Sequence, residues 1–297
     1  MNVLVLTDLH LSSARPAGRI GDYAADVDKK LEEVVEIANT YSAEAVLCAG
    51  DLFHKPDVSF SAVSRFLSFL EKLSRRFITI AGSHDLFGNN LDSLHRTAIG
   101  VLDRLGCVEL LRAERNPKTE VGPISVGIVG SGVAGIELAH GAILAKPDFG
   151  EYTLLGDYVT KAAVVVVGHY HNGYEIISTR GHVFVCPGSL VRVSASEGEI
   201  LRIPRVAIVS DDYKVTWVQL SSAKPGSAVL QRPIVVPRID FVDFVRTWRV
   251  AAFEDMDADA LLAELGITEA VDPQVVVFAR KYLKEKRDNA FVRGKSS

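Results

Sequence analysis

The sequence predicts an α/β fold in which two mixed β-sheets pack together and are flanked by helices, a four-layer sandwich with a short C-terminal extension. Three observations predict it. Up to about residue 105, short apolar runs alternate with segments whose apolar residues recur at helical spacing, which is typical of a largely parallel sheet covered by helices. After about residue 108 the candidate strands follow one another closely, which predicts a second and more antiparallel sheet. The 297 residues suffice for a sizeable core.

The elements can be placed in order from these patterns. The first part predicts strands at 3–6, 45–49 and 77–80, and amphipathic helices at 27–38, 58–73 and 91–105. The second part predicts strands at 124–129, 136–139, 163–167, 173–178, 182–186, 205–210 and 214–220. One domain therefore covers 1–220, and 221–297 is a linker followed by a small α-rich appendage, since 221–232 is rich in Ser, Ala, Pro and Gly.

Composition and charge exclude several classes of protein. A hydrophobic content of 48% excludes a disordered chain, and a net charge of −4 argues against a generally basic nucleic-acid binder. The charge is segregated in the appendage: 250–279 has seven acidic residues and no Lys or Arg, whereas 280–297 has seven basic residues against two acidic ones. This tail is either a solvated helical segment or a docking segment for a partner or a phosphate backbone.

Cysteine usage and the N-terminus indicate the compartment. The three cysteines form no CxxC pair, so a reducing environment fits best. The N-terminus reads as a strand without the features of a signal peptide, and no apolar stretch is long enough to span a bilayer, so we expect a cytoplasmic protein without a membrane partner. A GxGxxG pattern at 130–135 is followed by a loop instead of a helix, so we interpret it as a turn and not as a dinucleotide site.

Five polar clusters follow predicted strands. They are Asp8-x-His10, Gly50-Asp51, Gly82-Ser83-His84-Asp85, His140 and Gly168-His169-x-His171. Sites in open α/β sheets gather at the carboxyl ends of strands, so these side chains can meet in one crevice. Taken singly, each has a structural explanation: a surface or hydrogen-bonded histidine, a helix N-cap or a turn. Their occurrence together, in order, favours a metal site.

The residue types indicate which metals. Asp and His without Cys form a ligand set that suits Mn²⁺ first, with Fe²⁺, Zn²⁺ or Ni²⁺ as alternatives. Alternate residues of an extended segment lie on one side, so both members of Asp-x-His and of His-x-His can reach one centre. A carboxylate such as Asp51 can bridge two cations, and two ions about 3.5–4 Å apart activate a water and stabilise an in-line phosphoryl displacement.

At this point the chain resembles the calcineurin-like metallophosphoesterases, whose ordered pattern is DxH, GDxx, GNH[DE], a lone His and GHxH. The resemblance covers roughly 1–190 and implies two metal sites that share Asp51. It implies that one metal is held by Asp8, His10, Asp51 and His171, and the other by Asp51, His140 and His169. It also implies that His84 binds no metal and, oriented by Asp85, either stabilises the transition state or protonates the leaving oxygen. One position departs from the pattern: Ser83 stands where the family has an Asn ligand, which implies a weaker second metal site.

Within that family, two segments are similar to the SbcD-type exonuclease subunits of DNA repair complexes. The first is Gly50-Asp-Leu-Phe-His54, which implies that His54 lies near the substrate phosphate. The second is Pro187-Gly-Ser-Leu-Val-Arg192, followed by Glu197-Gly-Glu199, from which we expect Arg192 to contact substrate. The resemblance further implies DNA and a coiled-coil ATPase of the SMC type as partners, either of which is a candidate for docking on the tail. A homodimer is a further candidate assembly.

The predicted function is therefore a two-metal phosphodiesterase, a DNA exonuclease in which a metal-bridging hydroxide attacks the phosphodiester. The alternative is a small-molecule phosphoesterase on the same fold, acting on cyclic nucleotides or phosphomonoesters with the same catalytic residues. A third reading, a non-catalytic scaffold that has lost its metals, predicts no bound metal and conflicts with the intact set of candidate ligands.

Overall fold

The structure is a computed structural model that describes residues 1–16, 18–147 and 151–230. These residues form two mixed six-stranded sheets, the first flanked by helices, and a small sheet of two strands, Ile143–Leu144 and Thr153–Leu154. The strands are β1 (Asn2–Leu6), β2 (Ala43–Cys48), β3 (Arg76–Thr79), β4 (Glu109–Leu110), β5 (Lys118–Val121), β6 (Ile124–Ile128), β7 (Ile136–His140), β8 (Ile143–Leu144), β9 (Thr153–Leu154), β10 (Val164–Gly168), β11 (Tyr174–Thr179), β12 (His182–Cys186), β13 (Arg205–Ser210) and β14 (Val215–Gln219). The helices are α1 (Tyr23–Thr40), α2 (Phe60–Leu73), α3 (Ala98–Arg104), α4 (Glu197–Leu201) and α5 (Gly226–Val229), with 3₁₀ turns at Ser83–Asp85, Phe87–Asn89 and Leu91–Arg96. The predicted fold class is confirmed.

The distribution of strands between the sheets differs from the prediction. The first sheet has the order β14-β13-β1-β2-β3-β4 and the second β11-β12-β10-β7-β6-β5. Both contain three parallel pairs and two antiparallel pairs among the described residues, so the expectation of a more antiparallel second sheet is wrong. The strands at 205–210 and 214–220 join the first sheet, where β13 pairs antiparallel with β1. A buried apolar run has the same pattern in either sheet, so periodicity could not assign it.

The core lies on both faces of the first sheet. Alternation along β1 sends Val3 and Val5 into the space between the sheets, where Leu138 of β7 and Val166 of β10 also lie. Leu4 and Leu6 point the other way, toward α1 and α2. Each such side chain, fully withdrawn from water, contributes roughly 1.5–3 kcal/mol to stability. The outer face of the second sheet is covered by residues of the segment 143–162, among them Ile143, Leu155 and Ala162.

The helix boundaries follow from side-chain caps. The Asp22 side chain accepts a hydrogen bond from the backbone N–H of Ala25 at the start of α1. The Ser59 side chain accepts one from the N–H of Ala62 at the start of α2. The predicted helix at 91–105 is interrupted, because the Thr97 hydroxyl accepts from the N–H of Gly100 and so begins a new helix, α3, after a 3₁₀ turn. The apolar periodicity runs through this break and therefore does not reveal it.

Residues 221–230 of the predicted linker contact the domain. The backbone N–H groups of Ser221 and Ser222 donate to the Glu33 carboxylate at 2.6 and 2.8 Å, and Leu230 forms a β-bridge with Arg19. The rest of the predicted appendage, including the acidic stretch 250–279 and the basic segment 280–297, lies outside the described residues. Within the described ranges, no helix is both long and apolar enough to cross a bilayer.

Lys30 is a buried lysine. The free energy that burial of its charge costs predicts that the stability of the protein depends on pH. The Lys30 Nζ donates to the carbonyl of Leu190 at 3.0 Å, and burial, reinforced by Arg192 and Arg202, lowers its pKa to about 7. The unfolded chain keeps the proton up to about pH 10.4. Between these values the unfolded state binds more protons, so stability rises with pH by up to about 1.4 kcal/mol per pH unit.

We therefore expect Lys30→Met to remove this rise. Urea unfolding of wild type and variant at pH 6, 8 and 9.5 measures the free energy of unfolding. We expect the variant to be more stable than wild type at pH 6 and this difference to shrink toward pH 9.5. Parallel pH profiles of the two proteins would contradict the assignment.

Candidate metal centre

The predicted ligands lie at the carboxyl ends of parallel strands in both sheets. Asp8 and His10 follow β1, and Asp51 follows β2. His140 is the last residue of β7, and His169 and His171 follow β10. Since β1, β2, β7 and β10 end on the same side, the structure brings all six predicted metal ligands together.

The backbone of these loops adopts a conformation that L-residues seldom use. The φ angles of Asp8, His10, Asp51 and His169 are 51°, 43°, 53° and 87°, all in the left-handed region. Hydrogen bonds between the loops hold it: the N–H of Asp8 donates to the Gly50 carbonyl at 3.1 Å, and that of His10 to the Asp51 carbonyl at 3.0 Å. Such residues cost roughly 1–3 kcal/mol each and cluster at functional sites.

Two motif glycines allow the loops to approach this closely. A Cβ on Gly82 would overlap the Asp51 carboxylate, and one on Gly168 would overlap the Ala49 carbonyl and lie 2.8 Å from Nδ1 of His140. The glycines before Ser83 and His169 therefore make room for the ligand side chains of neighbouring strands.

The first ligand group consists of Asp8, His10, Asp51 and His171, whose candidate ligand atoms all lie within 4.8 Å of one another. Nε2 of His10 is 2.8 Å from Nε2 of His171 and 3.7 Å from Oδ2 of Asp51. Oδ1 of Asp8 lies 3.9 Å from both ring nitrogens. Asp8, His10 and Asp51 are fully buried, so this group is enclosed except at His171.

The second ligand group consists of Asp51, His140 and His169. Nε2 of His140 is 3.3 Å from Oδ2 of Asp51, the oxygen that also faces His10. Nδ1 of His140 is 2.7 Å from the Ala49 carbonyl, which can only accept, so Nδ1 carries a proton and Nε2 faces the group. Asp51 belongs to both groups, as a bridging ligand would.

The charges within the centre favour ligation. Burial opposes ionisation of Asp51, but His140, His10 and the N–H of His84 hold its pKa well below the usual range. Burial would also discharge His140, but Asp51 outweighs it and raises the His140 pKa to about 9. Burial lowers the pKa of His10, and of His169 with His140 adding to the effect. Asp51 is thus ionised and His10 and His169 are neutral, the forms in which these groups bind cations, whereas a cation bound in the second group would have to displace the Nε2 proton of His140.

Several buried polar atoms of the centre lack partners among the described residues. They are Nδ1 of His10, Oδ2 of Asp51 and Nε2 of His140. Burying such atoms unpaired costs free energy, and two of them face the centre. Nitrogen and carboxylate-oxygen donors are those that divalent transition ions prefer. The residues therefore fit two cations, one in each group.

His84 and His54 lie beside the first group. The His84 ring is exposed and its Nδ1 is 2.9 Å from the His54 carbonyl, which leaves Nε2 free. The His54 ring stacks on His84 with centroids 5.4 Å apart and lies 5.5 Å from the His10 ring. Together His10, His54 and His84 form a third group that could hold an ion, but it contains no carboxylate.

The expected contact between Asp85 and the His84 ring is not made, and that part of the prediction is wrong. The Asp85 carboxylate is fully buried and accepts backbone N–H groups of Leu52, Phe53 and Gly82 at 3.3, 3.1 and 3.0 Å. Burial and the Asp51 charge raise its pKa to about 7. Asp85 therefore ties the Asp51 loop to the His84 loop, and the His54 carbonyl orients His84.

Arg192 is also not where a substrate contact would be. Its side chain is 2% exposed, and its guanidinium donates to the carbonyls of Lys224 and Arg202 at 2.8 and 2.6 Å. These contacts stabilise the packing of α4 and α5, and we do not propose Arg192 as a ligand of substrate. The motif position was visible in the sequence, but the burial of the side chain was not.

One buried residue next to the centre was missed as a site residue. Glu199 of α4 lies 3.6 Å from Nδ1 of His171. The sequence offered a signal in the Glu-Gly-Glu segment at 197–199, which we used only to recognise a branch of the family.

The second group has one candidate ligand fewer than the first, because Ser83 stands where the family has an Asn ligand. Ser83 is half-buried at the start of the 3₁₀ turn Ser83–Asp85, and the second group offers three candidate ligand atoms where the first offers four. We expect Ser83→Asn to add an amide oxygen and tighten the weaker metal site by about tenfold, which corresponds to about 1.4 kcal/mol. Calorimetric titration with Mn²⁺ measures it. Ser74→Asn, at the exposed C-cap of α2, is the control, and equal affinities in wild type and Ser83→Asn would refute the prediction.

The chain is similar to several known proteins. The chain is 34% identical over 90 residues to a probable cyclic nucleotide phosphodiesterase of Xenorhabdus bovienii, a match that spans 30% of this chain and 36% of that relative. Among solved structures, a novel archaeal phosphodiesterase has 16% identity and a TM-score of 0.42, with 74% of this chain and all of that chain covered. The phosphoesterase Yfce of E. coli has 15% identity and a TM-score of 0.37, with the same coverage.

A family model matches most of the domain. The model of the calcineurin-like phosphoesterase superfamily domain covers residues 1–209, which include every candidate ligand described above. The family is metal-dependent, and the ligand groups of this chain lie at the strand ends that the matched segment forms. The chain therefore belongs to the calcineurin-like phosphoesterase superfamily, and it spans about a third of the length of the curated relative it matches.

Proposed function

We propose that the protein hydrolyses phosphodiesters at this centre, and that its substrate is DNA degraded from an end, as an SbcD-type exonuclease does. The observation that carries the proposal is the position of the exposed His84 ring, next to the two ligand groups and stacked on His54. A free imidazole nitrogen beside bound cations can protonate an ester oxygen as it leaves.

The residues divide the reaction between them. The two cations, when bound, supply Lewis acidity toward the phosphate oxygens and lower the pKa of a coordinated water. His84 keeps one proton on Nδ1 through the His54 carbonyl and delivers the other from Nε2 to the 3′ oxygen as its bond to phosphorus breaks. His54, half-buried and with Nδ1 free of described partners, is placed to contact a phosphate oxygen.

The openness of the centre supports a large substrate. His84 and His169 are both exposed, so a phosphate flanked by bulky groups can reach them. With Arg192 buried, the positive charge that DNA requires falls to Lys55, exposed next to His54, and to the basic segment 280–297. Docking of the tail beyond residue 230 on a coiled-coil ATPase remains a prediction, as does a homodimer of the chain.

A small phosphodiester is the second candidate, and the relative named as a probable cyclic nucleotide phosphodiesterase favours it. The same ligands and the same His84 would perform that reaction, so the metal centre does not separate the two candidates. They differ in the group that leaves and in the need for a basic surface beyond the centre.

A substrate panel tests the proposal. The Mn²⁺-loaded protein is assayed with linear DNA, covalently closed circular DNA, cyclic nucleotides, bis(p-nitrophenyl) phosphate and p-nitrophenyl phosphate. We expect release of mononucleotides from linear DNA, none from closed circles, and faster turnover of the diester than of the monoester. Turnover of cyclic nucleotides without degradation of DNA would replace the nuclease with the second candidate. No turnover of any ester would overturn both.

A further inference from the structure

His171 has a buried carboxylate behind it. Its Nε2 faces the first ligand group, 2.8 Å from Nε2 of His10, and its Nδ1 faces Oε1 of Glu199 at 3.6 Å. Glu199 is 2% exposed, and Oε1 has no hydrogen-bond partner among the described residues. The separation is longer than a hydrogen bond, so the two atoms would have to approach by a few tenths of an ångström for the bond to form.

The other oxygen of Glu199 is firmly held. Oε2 accepts a hydrogen bond from Nε of Arg202 at 2.9 Å and forms an ion pair with Nη2 at 2.7 Å. The same guanidinium donates to the carbonyls of Ser189 and Val191 at 2.6 and 2.7 Å. A carboxylate fixed in this way loses little further entropy when it accepts one more hydrogen bond.

The loop that Arg202 holds is part of the metal centre. The Ser189 hydroxyl donates to the Asp8 carbonyl at 2.8 Å, and the Ser189 N–H donates to the His171 carbonyl at 3.0 Å. Helix α4 also packs against Asn172, the residue after His171. The approach is so close that a Cβ on Gly198 would overlap the Asn172 side chain. Glu199 is thus placed against His171 by backbone packing as well as by its own ion pair.

We propose that Glu199 is a positioning residue for the first metal site, a role that rests on the proposed two-metal centre. It accepts a hydrogen bond from the Nδ1–H of His171. This bond fixes the tautomer in which Nε2 has no proton and can bind the metal. Histidine ligands usually donate their second nitrogen to such an acceptor, and loss of the acceptor weakens metal affinity by about 10–100-fold. His140 in the second site uses the Ala49 carbonyl instead, so Glu199 acts on one site only.

Glu199→Gln tests the proposal, because the amide keeps the volume and removes the charge. Glu197→Gln is the matched control, since Glu197 lies on the same helix and is exposed. Mn²⁺ binding is measured by calorimetry on the full chain, together with the Mn²⁺ dependence of bis(p-nitrophenyl) phosphate turnover and thermal unfolding in EDTA.

We expect one of the two Mn²⁺ sites to weaken by about 10–100-fold in Glu199→Gln, with the other unchanged and kcat recovered at saturating Mn²⁺. Glu197→Gln should behave as wild type. Unchanged affinity at both sites, or a kcat loss that Mn²⁺ does not restore, would overturn the role of Glu199. A wild type that binds no Mn²⁺ would instead overturn the metal centre itself.

A measurement on the wild type keeps the inference open to refutation if the variant does not fold. ¹⁵N correlation spectra of the Zn²⁺-loaded protein report the tautomer of each histidine ring. We expect His171 to show a slowly exchanging proton on Nδ1. A His171 ring with its proton on Nε2 would overturn the proposal.

Discussion

Asp51→Asn should remove most of the activity, because one residue serves both metal sites. Oδ2 of Asp51 lies 3.7 Å from Nε2 of His10 and 3.3 Å from Nε2 of His140, and the fully buried side chain has no other residue to replace it. Two bound cations contribute several kcal/mol of charge stabilisation, so we expect kcat/KM to fall at least roughly 10³-fold. Turnover of bis(p-nitrophenyl) phosphate at fixed Mn²⁺ measures this loss.

Metal content separates this effect from misfolding. Among the described residues the second site offers Asp51, His140 and His169, so the variant should lose the ion of this site first. The first site keeps three ligands and should bind its ion more weakly than in wild type. Asp57→Asn, in the exposed part of the same loop, is the matched control and should retain two ions and full activity. Retention of both ions by Asp51→Asn at wild-type affinity would refute the bridging role.

His84→Ala should reduce catalysis without loss of metal. His84 belongs to neither carboxylate-containing group, and among the described residues its exposed ring makes one hydrogen bond, between Nδ1 and the His54 carbonyl. Removing a general acid costs roughly 10²–10⁴-fold. The loss should be large for DNA, whose leaving alkoxide needs a proton, and much smaller for bis(p-nitrophenyl) phosphate, whose phenolate leaves without one.

His95→Ala is the matched control for this prediction. His95 is also exposed, and its Nδ1 is held by a backbone carbonyl, that of Asp92, at 2.8 Å. Its removal should leave turnover of both substrates unchanged. An equal loss on both substrates in His84→Ala would argue against proton donation and for a binding role.

The sequence predicted most of the centre because its ligands come in short motifs at strand ends. Asp8, His10 and Asp51 could be paired with His140 and the His-x-His segment before any geometry was known, and the structure brings them within reach of one another. The same alternation of apolar runs and helical segments predicted two packed sheets. Local patterns succeed here because each motif directly follows a buried strand.

What the sequence missed depends on contacts between distant residues. Asp85 stands beside His84 in the chain, yet its carboxylate turns to the backbone of the Asp51 loop. Arg192 has the residue type of a phosphate contact but is buried against backbone carbonyls. The left-handed backbone of Asp8, His10, Asp51 and His169 is set by hydrogen bonds between loops, and none of these residues is a glycine that would announce it.

The pairing of β1 with β13 has a consequence for how the protein folds. β1 leads directly into Asp8 and His10, and it is flanked by β2 on one side and by β13 on the other, with Asn2 opposite Ser210. During synthesis at about 5–20 residues per second, β13 emerges roughly 10–40 s after β1. Until then β1 is an edge strand with unpaired backbone groups. The strand that leads into Asp8 and His10 therefore stays open on one side until β13 is synthesised.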